Sequence, residues 1–444
     1  MKKSHIFLFI IFMFIISCGN KVTAPSVSDI TYYDPNNTII KTYTYSIKDN
    51  KDQSMIAKEG AFKKIAESAN AIIYVEESQI DKGITKAGVI SFLRKFENYL
   101  PREIEIYGEI PDIDGNGKVI FLMADINTNV TTTGLGGYFQ PSDLINGKNG
   151  EPGEYLHVNL PVSDITLGIM MHELQHLINA YNNLMQGKSM DIWLNEALSE
   201  STSLIFSEPI AKEREYIFNT STYYSFYTWN LVYTDGTPQG TVPVGGYGNI
   251  LMSYGSSSIF MKWLDSKTGG KQEIYKEIAH SPSAPTSEQR LMNVLSKHGF
   301  ANDMDTVLLD WIADINNGVV PGLKLSAIDP TDPKFNINGK IPLLPKSLVV
   351  YSTADNPQIT TSGRLETRPL GKTGLSVVIN NSENQGQNLA AAVIADKANV
   401  EELTIKKAAN LNSSIKYQRF NLQDREYFID KVITEEDEKN IKKQ

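Results

Sequence analysis

Six histidines occur in the 444 residues, and two of them stand four apart in Met171-His172-Glu173-Leu174-Gln175-His176. On a helix that spacing puts both imidazoles on one face, one turn apart. Two ring nitrogens so placed can reach one zinc ion at about 2.0–2.1 Å. The glutamate between them points to the adjoining edge of that face, where it can hold a metal-bound water. A catalytic zinc takes a third protein ligand and keeps one position open. Trp193-Leu194-Asn195-Glu196-Ala197-Leu198-Ser199-Glu200 offers that ligand. Glu196 lies twenty positions past His176, which leaves room for a loop over 182–189 and an antiparallel return. Glu200, one turn beyond Glu196, is placed to accept the other ring N–H of a ligand histidine and fix its tautomer.

The chemistry this pattern points to is hydrolysis. Zinc lowers the pKa of its water toward neutrality. Glu173 takes the proton as general base and passes it to the leaving group. An oxyanion forming beside the metal needs a further hydrogen-bond donor.

These side chains need helices to present them. Ile165, Ile169, Leu174, Leu177 and Ile178 form an apolar stripe through the first motif, and Leu194, Ala197, Leu198 and Leu204 through the second. Pro161-Val162-Ser163-Asp164 precedes the first helix, with Ser163 or Asp164 expected as its N-cap. Upstream, residues 51–70 are expected to be helical, with Met55, Ile56, Phe62, Ile65 and Ala66 on one side. An amphipathic helix is predicted over 86–100, stopped by Pro101. Strands are predicted at Ile39–Ile47, Ala71–Val75, Val119–Met123, Gly136–Gln140 and Tyr155–Leu160. A sheet half thus leads into a helical half from about 164 to 320, an α+β arrangement without internal repeats. Asp329-Pro330-Thr331-Asp332-Pro333 reads as a linker. The short apolar runs Ser347–Tyr351, Leu375–Ile379, Leu389–Ile394 and Tyr427–Val432 then suggest a small β-rich domain.

The start of the chain carries a second signal. Lys2 and Lys3 precede the apolar run Ile6–Ile16, too short for a permanent membrane span, and the lone cysteine, Cys18, follows it. Ile15-Ile16-Ser17-Cys18 resembles a bacterial lipobox, with Ile where Leu and a small residue are usual. The expectation is an exported protein, lipidated at Cys18 and held on a bacterial membrane, at the cell surface or a periplasmic face. A net charge of -9 and the lack of a long Lys/Arg run argue against a nucleic-acid partner.

A weaker site is Asp112-Ile113-Asp114-Gly115-Asn116-Gly117-Lys118. Asp112, Asp114 and Asn116 alternate as they do at the start of a calcium loop, with glycine at the sixth position. The twelfth position is Met123 rather than a glutamate, and an Asn-Gly turn into a strand accounts for the same residues.

His172-Glu173-Leu174-Gln175-His176 followed by Asn195-Glu196-Ala197-Leu198-Ser199-Glu200 resembles the gluzincin metallopeptidases, and the first motif with Leu177-Ile178-Asn179 looks most like the hyicolysin family of bacterial neutral metallopeptidases. The resemblance implies a zincin-like catalytic domain with His172, His176 and Glu196 as zinc ligands and Glu173 as catalytic glutamate. Glu200 stands where the thermolysin-like group usually has Asp. The G-x-M-E-N stretch of the aminopeptidase gluzincins is replaced by Gly136-Gly137-Tyr138-Phe139, which favours an endopeptidase-like cleft. Gluzincins use a Tyr or His after the third ligand to stabilise the oxyanion. Tyr247, Tyr254, His280 and His298 are available, and Tyr254 is expected to serve as the opening residue of a glycine-led helix. Tyr223, Tyr224, Phe226, Tyr227 and Trp229 either line a cleft or fill a core.

The expected organisation is a signal peptide over 1–17, a tether with first strands over 18–50, and a zincin-like peptidase domain over 51–325. A β-rich domain follows over 335–434 and a charged tail over 435–444. The expected activity is zinc-dependent cleavage of protein or peptide substrates. The competing reading is a non-catalytic surface lipoprotein, an adhesin or binding module with a structural or vestigial zinc site.

Overall fold

The structure is a computed structural model. It describes residues 30–405 except 52–53, 81, 83, 131–133, 164, 189, 230, 233–248, 333–334, 337–338, 356, 360–363, 384–392 and 395–399. Cys18, Tyr247, the apolar run Tyr427–Val432 and residues 389–392 of the run Leu389–Ile394 lie outside the described residues.

The N-terminal half is one curled sheet. Its strands are β1 (Thr31–Tyr32), β2 (Ile40–Asp49), β3 (Met55–Glu67), β4 (Ala71–Glu76), β5 (Val119–Ala124), β6 (Asn127–Thr128), β7 (Gly137–Phe139) and β8 (Tyr155–Asn159). The order is β6-β2-β3-β4-β5-β8-β7, with β1 paired to β3. β4, β5 and β8 run parallel, and β7 returns antiparallel as the edge strand. The wholly apolar β5 follows from burial on both faces. Val119, Phe121 and Met123 join the main core under the helices, while Ile120, Leu122 and Ala124 join a second cluster. In that cluster Tyr43 meets the rings of Phe62, Tyr74 and Tyr155 edge-on at 5.5–5.7 Å.

The expected helix over 51–70 is strand β3. It pairs antiparallel with β2 on one side and β4 on the other. A bulge between Lys64 and Ala66 shifts its phase, sending Phe62 to the aromatic cluster and both Ile65 and Ala66 to the main core. The bulge makes a strand's apolar spacing imitate a helical one.

Helix α1 (Lys86–Tyr107) opens on Thr85, whose side chain accepts from Gly88 N–H. Its Phe92 and Phe96 strike Phe121 edge-on, at 5.0 and 5.1 Å. Pro101 does not stop it: the helix runs six residues further. Pro101 faces solvent, while Glu103, Ile106 and Tyr107 continue the buried stripe beyond it. Packing outweighs the one hydrogen bond that proline removes.

The helical half contains α2 (Thr166–Asn182), α3 (Ile192–Phe206), α4 (Glu208–Thr220), α5 (Asn249–Lys267), α6 (Glu273–Ala279), α7 (Ser287–Leu295) and α8 (Met304–Asn316), with short strands β9 (Tyr223–Tyr224) and β10 (Leu231–Val232). Ser163 does not cap α2, because its Oγ is spent on Thr166 Oγ1 at 3.1 Å; Asp164 lies outside the described residues. Tyr254 does not open α5, which starts at Asn249. Gly255 has another reason to be glycine, since a Cβ there would come within 2.8 Å of Ile217 Cγ2 on α4.

After the turn at Asp329–Asp332 come β11 (Ile341–Leu343), β12 (Leu348–Ser352), β13 (Pro357–Ile359), β14 (Leu365–Pro369), β15 (Leu375–Asn380), β16 (Val393–Ile394) and β17 (Glu401–Ile405). These strands are stitched to the helical half. β9 extends the β14-β15-β12 sheet, β10 pairs with β16, and Tyr223 Oη donates to Pro342 O at 3.1 Å. Leu348, Val350, Val377 and Ile379 share the main core with the helices. No described helix is long and apolar enough to cross a membrane.

Candidate metal centre

Helices α2 and α3 pack side by side, and an Asn179 Nδ2–Asn195 Oδ1 hydrogen bond of 2.7 Å fixes their registry one turn from the motif histidines. Gly168 allows the approach of the next segment, for a Cβ there would lie 2.4 Å from Ser207 Cβ. His172, His176 and Glu196 are all buried and offer donor atoms within 4.8 Å of one another. His172 Nε2 and His176 Nε2 each lie 3.5 Å from Glu196 Oε2. Ligands of a tetrahedral ion with bonds near 2.1 Å are separated by about 3.4 Å. Glu196 Oε2 accepts no hydrogen bond among the described residues. A buried carboxylate oxygen in that condition is costly unless a cation answers it.

The surrounding side chains set ring orientation. Ser199 donates to Gln175 Oε1, which leaves an oxygen lone pair for His176 Nδ1–H at 3.0 Å. That arrangement exposes Nε2 as the bare nitrogen. Glu200 Oε1 lies 3.5 Å from His172 Nδ1. Glu200 is fully buried, and Arg214 of α4 holds both its oxygens, Nε to Oε2 at 2.7 Å and Nη2 to Oε1 at 3.1 Å. Arg214 also lies over the Tyr254 ring, 4.9 Å from its centroid. Its guanidinium is driven further up from its usual range: burial opposes the charge, and Glu200 more than restores it. Arg214 also lies 3.7 Å from Glu213, so its one guanidinium serves two acidic side chains beside the histidine–glutamate group.

Glu173 points toward the sheet, where Phe139 N–H on β7 donates to its Oε2 at 2.8 Å. Gly137 makes this reach attainable: a Cβ there would lie 2.1 Å from Met170 Cε on α2 and 2.8 Å from His157 O. Behind β7, Tyr138 stacks on His157 at 4.1 Å, and His157 Nε2 sits 3.1 Å from Asp143 Oδ2.

Tyr254 is brought to the centre. Its ring is 6.2 Å from the His172 ring and meets Trp229 edge-on at 4.8 Å. His280 and His298 are engaged elsewhere, Nε2 of the first on Ile106 O at 3.1 Å and of the second on Glu277 at 3.0 Å. Tyr223, Tyr224, Phe226 and Tyr227 are buried and pack on Phe335, Trp311 and Trp193 in the core, while Trp229 is buried against Tyr254. Sequence reasoning missed Arg214, Ser199 and Phe139 N–H, because nothing in local spacing links them to the histidines. It also missed Glu103 of α1, whose full burial pushes its carboxyl well above the carboxylate range while His172 pulls the other way.

The Asp112–Lys118 loop turns into β5 as an Asn-Gly turn would. Gly117 N–H donates to Asp112 Oδ1 at 2.8 Å and Asn116 N–H to Asp114 Oδ1 at 3.0 Å. Met123, at the twelfth position, is buried in β5.

No family model matches the chain. It is 29% identical over 238 residues to a protein of Staphylococcus hyicus described as neutral metalloprotease ShpI, an alignment covering 49% of this chain and 50% of that relative. The chain thus spans about half the length of the curated relative it matches. The chain is similar over about half its length to a neutral metalloprotease, and it holds a buried group of two histidines and one glutamate that could bind a metal ion.

Proposed function

We propose that this chain is a zinc-dependent peptidase, exported and anchored to a bacterial membrane through lipid on Cys18. The observation that carries the reading is the buried His172–His176–Glu196 group with Glu173 beside it on the same helix, tied to an edge strand. His172, His176 and Glu196 would hold the ion. When bound, zinc supplies a Lewis acid that makes water acidic near neutral pH and polarises a carbonyl.

The remaining work falls to the chain. Phe139 N–H pins Glu173 Oε2, so the carboxylate cannot swing away. Glu173 accepts the proton of the attacking water through Oε1 and hands it to the departing amine. Tyr254, its ring clasped by Arg214 and Trp229, donates to the developing oxyanion. β7 is an edge strand among the described residues, and an extended peptide can add to such an edge by main-chain hydrogen bonds, which favours internal cleavage of protein chains.

The competing reading, a non-catalytic lipoprotein with a structural ion, gives no role to Glu173 or to the Phe139 contact. Zinc analysis of purified protein, with casein hydrolysis measured before and after 1,10-phenanthroline, separates the two. Stoichiometric zinc with chelator-sensitive hydrolysis is expected. Stoichiometric zinc without hydrolysis would favour the structural ion.

A further inference from the structure

Two carboxylates of the loop between α1 and β5 meet a third from the segment before β8, and no step of the peptidase reading uses them. Asp112 and Asp114 are exposed at its tip, and Glu154, just before β8, lies beneath it. One oxygen of each falls within 4.8 Å of the others. The loop begins as calcium loops do, with acidic residues at alternate positions, but Met123 occupies the place of the closing glutamate. The sheet supplies what the loop lacks. β5 and β8 are parallel neighbours, and Ile120 N–H donates to Glu154 O at 2.8 Å, which sets Glu154 under the turn.

Glu154 marks the site independently of the loop. Glu154 is 0% exposed, its Oε1 accepts from Ile113 N–H at 2.6 Å, and its Oε2 has no hydrogen-bond partner among the described residues. A buried carboxylate with an oxygen within 4.8 Å of two other carboxylates is unfavourable on both counts, desolvation and like charge. Burial first, then Asp114 and Asp112, push the Glu154 carboxyl up to about 7, against the pull of the Ile113 N–H. Lys41, whose charge acts on Asp114, is engaged with Glu151 at 2.8 Å.

We propose that Asp112, Asp114 and Glu154 bind a calcium ion that pins the α1–β5 loop to the head of β8. An all-oxygen donor set with opposed oxygens up to about 5 Å apart suits calcium, whose bonds run about 2.3–2.6 Å. Magnesium needs a tighter octahedron and gives up its water reluctantly. The site is separate from the histidine centre, so it stands whether or not the chain cleaves peptides.

The test uses the full chain with zinc held at a fixed saturating level. Calcium chloride alone is titrated by calorimetry, with magnesium chloride as comparator, and the thermal midpoint is followed with each. One calcium per chain is expected, with a raised midpoint and a response to magnesium at least tenfold weaker. Glu154→Gln, Asp112→Asn and Asp114→Asn should each weaken calcium binding at least tenfold while zinc content stays unchanged. The two loop substitutions are exposed and keep the test valid if Glu154→Gln folds poorly. No heat and no midpoint shift up to about 10 mM calcium, beyond the weak extracellular range of about 1 mM, would overturn the proposal. Wild-type calcium affinity in both loop variants would overturn it too.

Discussion

Arg214 holds Glu200 by two hydrogen bonds, 2.7 and 3.1 Å, and Glu200 Oε1 lies 3.5 Å from His172 Nδ1. Helix α4 thereby reaches a proposed metal ligand on α2 through a side chain of α3. Replacing Arg214 by Met leaves Glu200 buried without its countercharge, a change of about 3–5 kcal/mol in stability. Arg214→Lys keeps the charge but loses the two-point grip. Zinc affinity in Arg214→Lys is expected to fall roughly 10–100-fold, as for other groups that orient a ligand histidine. Competition with a chromophoric chelator measures this, and wild-type affinity would remove Glu200 from any role in orienting His172.

His172→Ala, His176→Ala and Glu196→Ala should each lower zinc content, because three protein ligands leave no spare donor. Each should also lower the thermal midpoint in zinc. A metal present at about a thousand times its Kd stabilises the folded state by roughly 4 kcal/mol, and the variants forfeit most of that. Full zinc occupancy in Glu196→Ala would point to another third ligand, with Glu200 the first to test.

Gly137→Ala places a methyl where Met170 Cε and His157 O already lie. β7 has to shift, and Phe139 N–H with it. Overpacking of this kind costs about 1–3 kcal/mol. Hydrolysis should drop roughly 10²-fold, the scale of a small misplacement of a catalytic group, with zinc content retained. A variant as active as wild type would show that the Phe139–Glu173 contact does not matter to turnover.

The centre was the most legible part of the sequence because its defining residues sit on two helices at local spacings: His172 and His176 one turn apart, Glu196 on the next helix. Parallel strands such as β5 were legible for a similar reason, since burial on both faces leaves an unbroken apolar run. β3 was not, because a bulge broke its alternation. Helix α1 passed through Pro101 because its buried stripe resumes at Glu103, a tertiary effect that a breaker rule does not contain. Arg214, the Phe139 N–H and Glu154 reach their sites across sheet and helix pairings, and no spacing rule connects them to their partners.

The proposed lipid anchor carries a separate prediction, on a residue outside the described part of the chain. Cys18→Ser should block lipidation, so the protein leaves the membrane fraction or stays unprocessed, while soluble protein starting at residue 19 keeps its hydrolytic activity. Unchanged detergent partitioning, with no lipid adduct on the wild type, would show that Cys18 anchors nothing.

The most direct measurement is peptide hydrolysis by Glu173→Gln. Glutamine keeps the shape of the side chain and an oxygen for Phe139 N–H, but it cannot take a proton near neutral pH. Zinc stoichiometry and thermal midpoint should match wild type. General acid–base catalysis is worth roughly 10²–10⁴-fold, and a residue serving both proton transfers should lose at or above the upper end of that range. Hydrolysis within about tenfold of wild type, a barrier change below about 1.4 kcal/mol, would contradict the assignment of Glu173 as the base.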